Sequence, residues 1–443
     1  MRDIVVGLII FGALPFILTR PHIGVLVWTW IGIMNPHKLG WGFAYDFPFA
    51  MIVGGLTLIS LVISKEPKRL PITPITITLL LFIIWMCVTT FFAILPENAW
   101  PQWEKVMKIQ LMIFITLMVM QGRERIHLLV WVTAASLAFY GVKGGIFTVL
   151  NGGQDMVLGP AGTFIEGNTS IALALVMVLP LLRYLQLNTD NKWIRHGLTF
   201  AMLLTALAII GSYSRGAFLA GAVMAFTLWL KTRNKLLLAM VLIISMPIML
   251  MIMPDKWFEK MGTVETYEQD NSALGRINAW HFAYNLAKDR PLVGGGFETF
   301  DRNLFKIYAP EPERFHDAHS IYFEVLGEHG FVGLTLFLII GALSLRTARR
   351  IAKQTKDRKE LQWAHDLASM LQVSIIGYAV GGAFLGLAYF DLYYILVALV
   401  VVTDQYVKKA LLKTESTAPI PASPYRAAPA GLVGRMRNQS GGS

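Results

Sequence analysis

The sequence predicts an all-α polytopic membrane protein with about 12 transmembrane helices and one large helical loop outside the bilayer. Of its 443 residues, 55% are hydrophobic and only 15% are charged, too apolar a balance for a soluble domain of this length. Apolar stretches near the length of a spanning helix recur from end to end. Basic residues gather in alternate short connections, as they do in cytoplasmic loops.

Taken in order, spans are expected near 3–19, 22–34, 46–63, 74–94, 104–120, 126–149, 168–186, 195–211, 214–231, 236–253, 320–345, 366–386 and 389–407. The first pair is interrupted by Arg20, Pro21 and His22, so it reads either as a shallow hairpin or as one broken crossing. No short apolar region followed by a small-residue cleavage site opens the chain, and residues 1–19 read as a retained first segment. Cys87 is the single cysteine, which excludes a disulfide framework and a cysteine-ligated metal. The net charge of +11 fits basic cytoplasmic loops beside anionic lipid. No basic patch with interleaved aromatics suggests nucleic acid.

Lys65, Lys68 and Arg69, then Arg123 and Arg125, then Lys231, Arg233 and Lys235, and the run from Arg346 to Lys359 mark cytoplasmic loops. Counting spans from them puts 35–45, 95–103, 151–167, 212–214 and 254–318 on the opposite face. The expected organisation is a transmembrane bundle over 1–253, an outer loop with amphipathic helices over 254–318, C-terminal spans over 319–412 and a disordered cytosolic tail over 413–443. In the loop, Ser272 is placed to cap a helix through Leu274, Ile277, Trp280 and Tyr284, ended by Pro291 and Gly294 to Gly296. A second amphipathic stretch is expected over 297–308. A connection of this length with helices of its own suggests a lid or wall.

Chemistry is expected where polar groups gather at the outer boundary. His319 opens a span in HSIYFEVLGEHG, where the positive end of a helix dipole disfavours imidazolium and leaves a neutral base; the plain alternative is a helix cap. Gly327, Gly330 and Gly333, three residues apart, suggest a smooth stripe for helix packing. Arg215, in SYSRGAFLA between two apolar segments, is costly unless it faces a cavity or an anion, and its planar fork suits phosphate oxygens. Arg276 on the loop helix could lean over the same place or be a solvated charge. Lys143 and Lys108 are further cations near the outer boundary, where snorkelling is the alternative. His316, His319, Asp317 and Glu313 lack the spacing of a metal motif, so no catalytic metal or other cofactor is expected. Mid-span Asp and Glu are nearly absent, which argues against coupling-ion transport.

The stretches GTFIEGNTSIALAL around Asn168, SYSRGAFLA around Arg215, GRINAWHFAYNLAKDRPLVGGGFETF from Gly275 and HSIYFEVLGEHG together resemble the O-antigen ligase and polymerase superfamily of bacterial envelope biogenesis. They occur in that family's order over roughly residues 155–345. The N-terminal RPHIGVLVWTWIGIMNPHKLGWGFAYDFPFA resembles an O-glycosylation ligase subgroup. The resemblance implies a GT-C-like helical architecture in the bacterial inner membrane. It also implies metal-independent, inverting glycosyl transfer from undecaprenyl diphosphate on the periplasmic face. The acceptor it implies is a sugar hydroxyl of lipid A-core; protein O-oligosaccharyltransferase and polysaccharide polymerase are alternatives with the same donor. A lipid-linked glycan transporter is the competitor from another class. Carried over by position, His319 serves the acceptor hydroxyl, and Arg215 and Arg276 hold the diphosphate. Asn168 is followed by Thr where the family often has a proline-asparagine pair, which leaves its role open.

Overall fold

A computed structural model describes residues 2–232, 234–262 and 271–417. Among these residues all regular structure is helical. Met1–Val407 forms one compact unit, and the chain from Lys408 onward is a second.

Every segment expected to span is a helix. The N-terminal pair, α1 (Arg2–Thr19) and α2 (Pro21–Met34), folds back as a hairpin. Asp3 at the start of α1 accepts from the Gly42 amide at 3.1 Å, shortly after α2 ends. Val6, Ile10 and Ile17 pack against Ile31 and against Phe49 and Val53 of α3 (Phe49–Ile63). The broken-crossing alternative therefore does not hold. Next come α4 (Pro74–Phe91), α5 (Pro96–Val119), α6 (Arg123–Leu150), α7 (Asn168–Leu187), α8 (Lys192–Ile210), α9 (Arg215–Lys231) and α10 (Lys235–Leu250). The outer segment holds α11 (Asp255–Gly262), α12 (Asn271–Asp289) and α13 (Arg302–Tyr308). The chain closes with α14 (Ile321–Thr355), α15 (Gln362–Gly382) and α16 (Asp391–Thr417).

The centre of the bundle is α7, almost wholly buried from Ile171 to Gln186, with α15 against it. Gly377 and Gly381 let α15 approach Val176 and Leu173 closely, and Ser374 donates to the Met177 carbonyl at 2.7 Å. Small residues and interhelical hydrogen bonds are what hold helices together where apolar burial gives little preference. The outer faces are apolar instead: Leu8, Met51, Val62 and Ile243 are exposed by 65% or more. The chain is a multi-pass membrane protein. Among the described residues six helices, α1, α4, α6, α7, α8 and α14, are both long and apolar enough to cross a bilayer, or up to seven if the pair around residue 250, bent by 112°, is one span. Helices α2 and α3 are apolar but shorter, and the first half of α5 carries Glu97, Glu104, Lys105 and Lys108.

Several local expectations change. Gly330 has φ +66° and breaks α14, so the glycines at 327, 330 and 333 do not form a continuous stripe. The break leaves backbone groups open, and the loop after α12 fills them. Gly295 and Gly296 amides donate to the Gly327 and Glu328 carbonyls at 2.8 Å, and Phe331 donates to Pro291 at 2.9 Å. A Cβ on Gly294 would lie 2.6 Å from the Gly327 oxygen, which is why this contact needs a run of glycines. Ser272 lies inside α12 and not before it, since the helix starts at Asn271. The second loop helix spans only Arg302–Tyr308, with the Asp301 carboxylate accepting from the Asn303 amide at 2.8 Å. Helix α16 continues to Thr417, into the segment expected as tail. The rest of that tail, 418–443, and residues 263–270 of the outer segment lie outside the described residues.

Candidate functional site

His319 immediately precedes Ser320, the extended N-cap of α14, and holds a left-handed backbone at φ +39°. A non-glycine residue there is uncommon and is held by its surroundings. Those surroundings come from α12. Trp280 donates through Nε1 to the Ala318 carbonyl at 2.8 Å and stacks on Phe323 at 5.1 Å. Asn278 donates to the carbonyls of Glu311 and Arg314. A Cβ on Gly275 would stand 2.8 Å from His316 Cδ2, so His316 packs closely against α12 at this glycine. His316 and His319 meet with ring centroids 4.7 Å apart.

This packing sets the protonation of His319. Burial comes first, then the neighbouring Arg276 guanidinium, then His316; together they lower its pKa to about 4. The imidazole is neutral at pH 7, through burial and a cation where the helix end was expected to act. Arg276 is thus within electrostatic range of His319.

Arg215 is the first residue of α9. The turn before it is pinned from several sides: the Asn168 side-chain amide donates to Ser212 O at 2.8 Å, Tyr213 donates to Gly153 O at 2.6 Å, and Trp257 donates to Ile210 O at 3.0 Å. Tyr213 itself is left-handed, at φ +59°. Asn168, whose role the sequence left open, holds this turn. A Cβ on Gly216 would lie 2.9 Å from Phe384 Cβ, and one on Gly382 would lie 2.5 Å from Ile321 Cδ1. The short turn after α15 therefore connects the start of α9 to the start of α14, and Arg215 and His319 occupy the same end of the bundle.

The two lysines expected beside them are elsewhere. Lys108 is exposed and paired with Glu104 at 2.5 Å along α5. Lys143 is exposed on α6 and lines an apolar groove of about 530 Å³ with Trp131, Phe139, Leu182 and Leu198. The lysine that meets the outer loops is Lys105, its amine 3.7 Å from the centroid of Phe164 and in electrostatic range of Asp391 and Glu298.

A set of acids that sequence reading missed faces this region. Glu298, left-handed at φ +54°, donates its amide to Glu328 Oε1 at 2.8 Å. Burial and then Asp317 push its carboxyl above the usual range, and Lys105 opposes the shift. Glu324 accepts from the Ala388 amide at 3.1 Å, and Glu328 also accepts from the Tyr389 hydroxyl. Glu324 and Glu328 lie within the first eight residues of α14 and are each bonded within the protein, and Asp404 is paired with Arg350 at 2.9 Å. The signal was present in the spacing: Glu324 and Glu328 are four apart and share a helix face. Among the described residues, no three His, Cys, Asp or Glu side chains gather as a metal site.

Comparison with known families bears on this arrangement. Residues 1–190 match a family of unknown function, and residues 200–338 match the O-antigen ligase family. That O-antigen ligase region contains Arg215, Arg276 and His319 together with the loop that packs on the α14 break. The match supports a function of the O-antigen ligase and polymerase kind, in a setting of lipid-linked glycan and membrane lipid. No curated relative matches the chain.

Proposed function

We propose that the chain is an inner-membrane glycosyltransferase of lipopolysaccharide biosynthesis, moving glycan from undecaprenyl diphosphate to a sugar hydroxyl of lipid A-core on the periplasmic face. The observation that carries this reading is a neutral imidazole beside Arg276, under a packed helix, at the end of the bundle where α9 begins with Arg215. The acceptor hydroxyl oxygen attacks the anomeric carbon from the side opposite the diphosphate, which inverts the centre. Its proton passes to His319. The bond from carbon to the diphosphate oxygen breaks, and the leaving group keeps the electron pair. Arg215 and Arg276 stabilise that developing charge, a task which needs no metal. Helix α12 and the glycine loop exclude water that would otherwise hydrolyse the donor.

The proposed layout is a bundle over 1–253, a periplasmic segment over 254–318, spans over 319–412, a cytosolic tail over 413–443 and about 12 crossings in all. The test is in vitro transfer of lipid-linked glycan to purified lipid A-core. His319→Ala and Arg215→Ala are each expected to lower the rate by about 100-fold or more, and EDTA is expected to leave it unchanged. Wild-type rates in both variants would remove the assignment.

A second reading keeps the donor and changes the acceptor. Glu298, Asp317 and Glu324 lie in electrostatic range of one another, a setting that favours an acceptor hydroxyl without phosphate nearby, as on a protein or a growing polysaccharide. The same assay with an uncharged polysaccharide or a serine-bearing peptide tells these acceptors apart. A new glycosidic bond in any arm separates all of them from transport.

A further inference from the structure

Lys143 lines a groove of about 530 Å³ between α6, α7 and α8, three helices that are each long and apolar enough to cross a bilayer. Leu182 and Leu198, 1% and 7% exposed, form its floor. Ala135 and Ala138 on α6 and Ala201 on α8 leave the hollow that larger side chains would fill. Along α6 the lining runs from Trp131 to Ile146, about 22 Å of helix. That is more than half of a hydrocarbon core of about 30 Å, so a groove of this length crosses the midplane.

Lys143 is the one charged residue in the lining. Among the described residues it has no ion pair or hydrogen bond, which leaves its amine for an anion. At the opposite end the Trp131 indole N–H is taken by His127 Nε2 at 3.1 Å. An anionic head therefore belongs at the Lys143 end. That end is tied to the turn before Arg215: a Cβ on Gly144 would lie 2.8 Å from Val157 Cγ1, and the Val157 amide donates to Gly211 O at 3.0 Å.

We propose that this groove holds the polyprenyl chain of a lipid diphosphate, with Lys143 meeting the phosphate end. The choice of lipid rests on the donor of the proposed function, and the groove leads that donor's head towards the Arg215 turn. Length decides between lipids. A phospholipid acyl chain belongs to one leaflet and fills only its own side of the groove, whereas a polyprenyl chain follows it across the midplane. A cation at headgroup level beside a cleft between transmembrane helices is how such sites hold a lipid phosphate.

The experiment uses the full chain in phosphatidylcholine nanodiscs, with undecaprenyl diphosphate as the probe and lipid retention in native mass spectrometry as the readout. Ala135→Phe, at an exposed lining position, is expected to lower retention about tenfold by occupying the hollow. Lys143→Gln is expected to lower it about fivefold. Val62→Phe, at a position 81% exposed on α3 and outside the groove, leaves it unchanged. Farnesyl diphosphate, the same head on a short chain, is expected to be retained about tenfold more weakly or worse. Wild-type retention in Ala135→Phe overturns the site, as does an equal loss in Val62→Phe, which would show a general effect of added bulk. Displacement by phosphatidylglycerol at matched concentration, or equal retention of farnesyl diphosphate, overturns the polyprenyl chain as occupant. Should Ala135→Phe lose its melting transition, wild-type retention in Lys143→Gln still overturns the site. The probe carries no glycan, so a chain that holds it in this groove yet forms no glycosidic bond loses the proposed function and keeps the site.

Discussion

His319 titrates where its own charge is disfavoured, because burial and Arg276 both oppose the imidazolium. Its pKa of about 4 in the folded protein lies below the ordinary value near 6.5. Protonation therefore favours the unfolded chain, and the stability His319 lends is full above pH 6.5 and lost as pH falls through 4. The same shift sets the activity. If the neutral ring is required, kcat/KM has its acid limb near pH 4, and Arg276→Gln moves that limb upward while lowering kcat/KM by about tenfold or more. A pH-rate profile of the two proteins checks this; an unmoved limb in the variant shows that Arg276 does not set the ring. The residues of this pair were legible in the sequence because the motif fixes them locally. Lys105 was not. Lys105 and Lys108 lie three apart on one helix, and only the position of Phe164, from a distant loop, selects Lys105.

At the scale of elements, helix limits follow from apolar runs, caps and glycine or proline stops, and the structure departs from them by a few residues at most places. Thr73 accepts from the Thr76 amide to cap α4, and α12 ends at Asp289, before Pro291. The break in α14 was hidden because its cause is not in α14. Glycines three apart look like a packing stripe until a glycine loop 30 residues earlier is found donating to the carbonyls they expose. This contact makes a sharp prediction. A Cβ at Gly330 would lie 2.4 Å from Leu292 O, on a backbone at φ +66°, so Gly330→Ala is expected to destabilise by about 3 kcal/mol or more. In the same helix Gly341 would bring its Cβ only to 3.4 Å from the Tyr393 hydroxyl. Gly341→Ala is therefore expected to be neutral or to stabilise by up to about 1 kcal/mol. Thermal melting in detergent compares the two, and equal losses mean that the glycine loop does not hold the break.

At the scale of the whole molecule, the working end has a direction only if the basic connections face the cytoplasm. The run from Arg346 to Lys359 starts within the helix that begins beside His319 at Ile321, about 37 Å of helix further along if straight. A helix of that length is enough to reach across a hydrocarbon core of about 30 Å. The proposed topology therefore puts His319 and the basic run on opposite sides, and moving a cluster of arginines outward is opposed by the positive-inside preference. The prediction uses a Cys87→Ala background with single cysteines at exposed loop positions. Asp155→Cys and Glu313→Cys, in the loops beside the proposed site, should react with a membrane-impermeant maleimide in cells with a permeabilised outer membrane and an intact inner one. Asp190→Cys and Asp357→Cys should react only after the inner membrane is opened. The reverse pattern would put His319 and Arg215 at the cytoplasmic face, away from a donor presented in the periplasm. A mixed pattern, with 155 and 313 on different sides, would mean that the crossings between them are miscounted. Either result separates the fold, which stands on its packing, from the direction in which the chemistry runs.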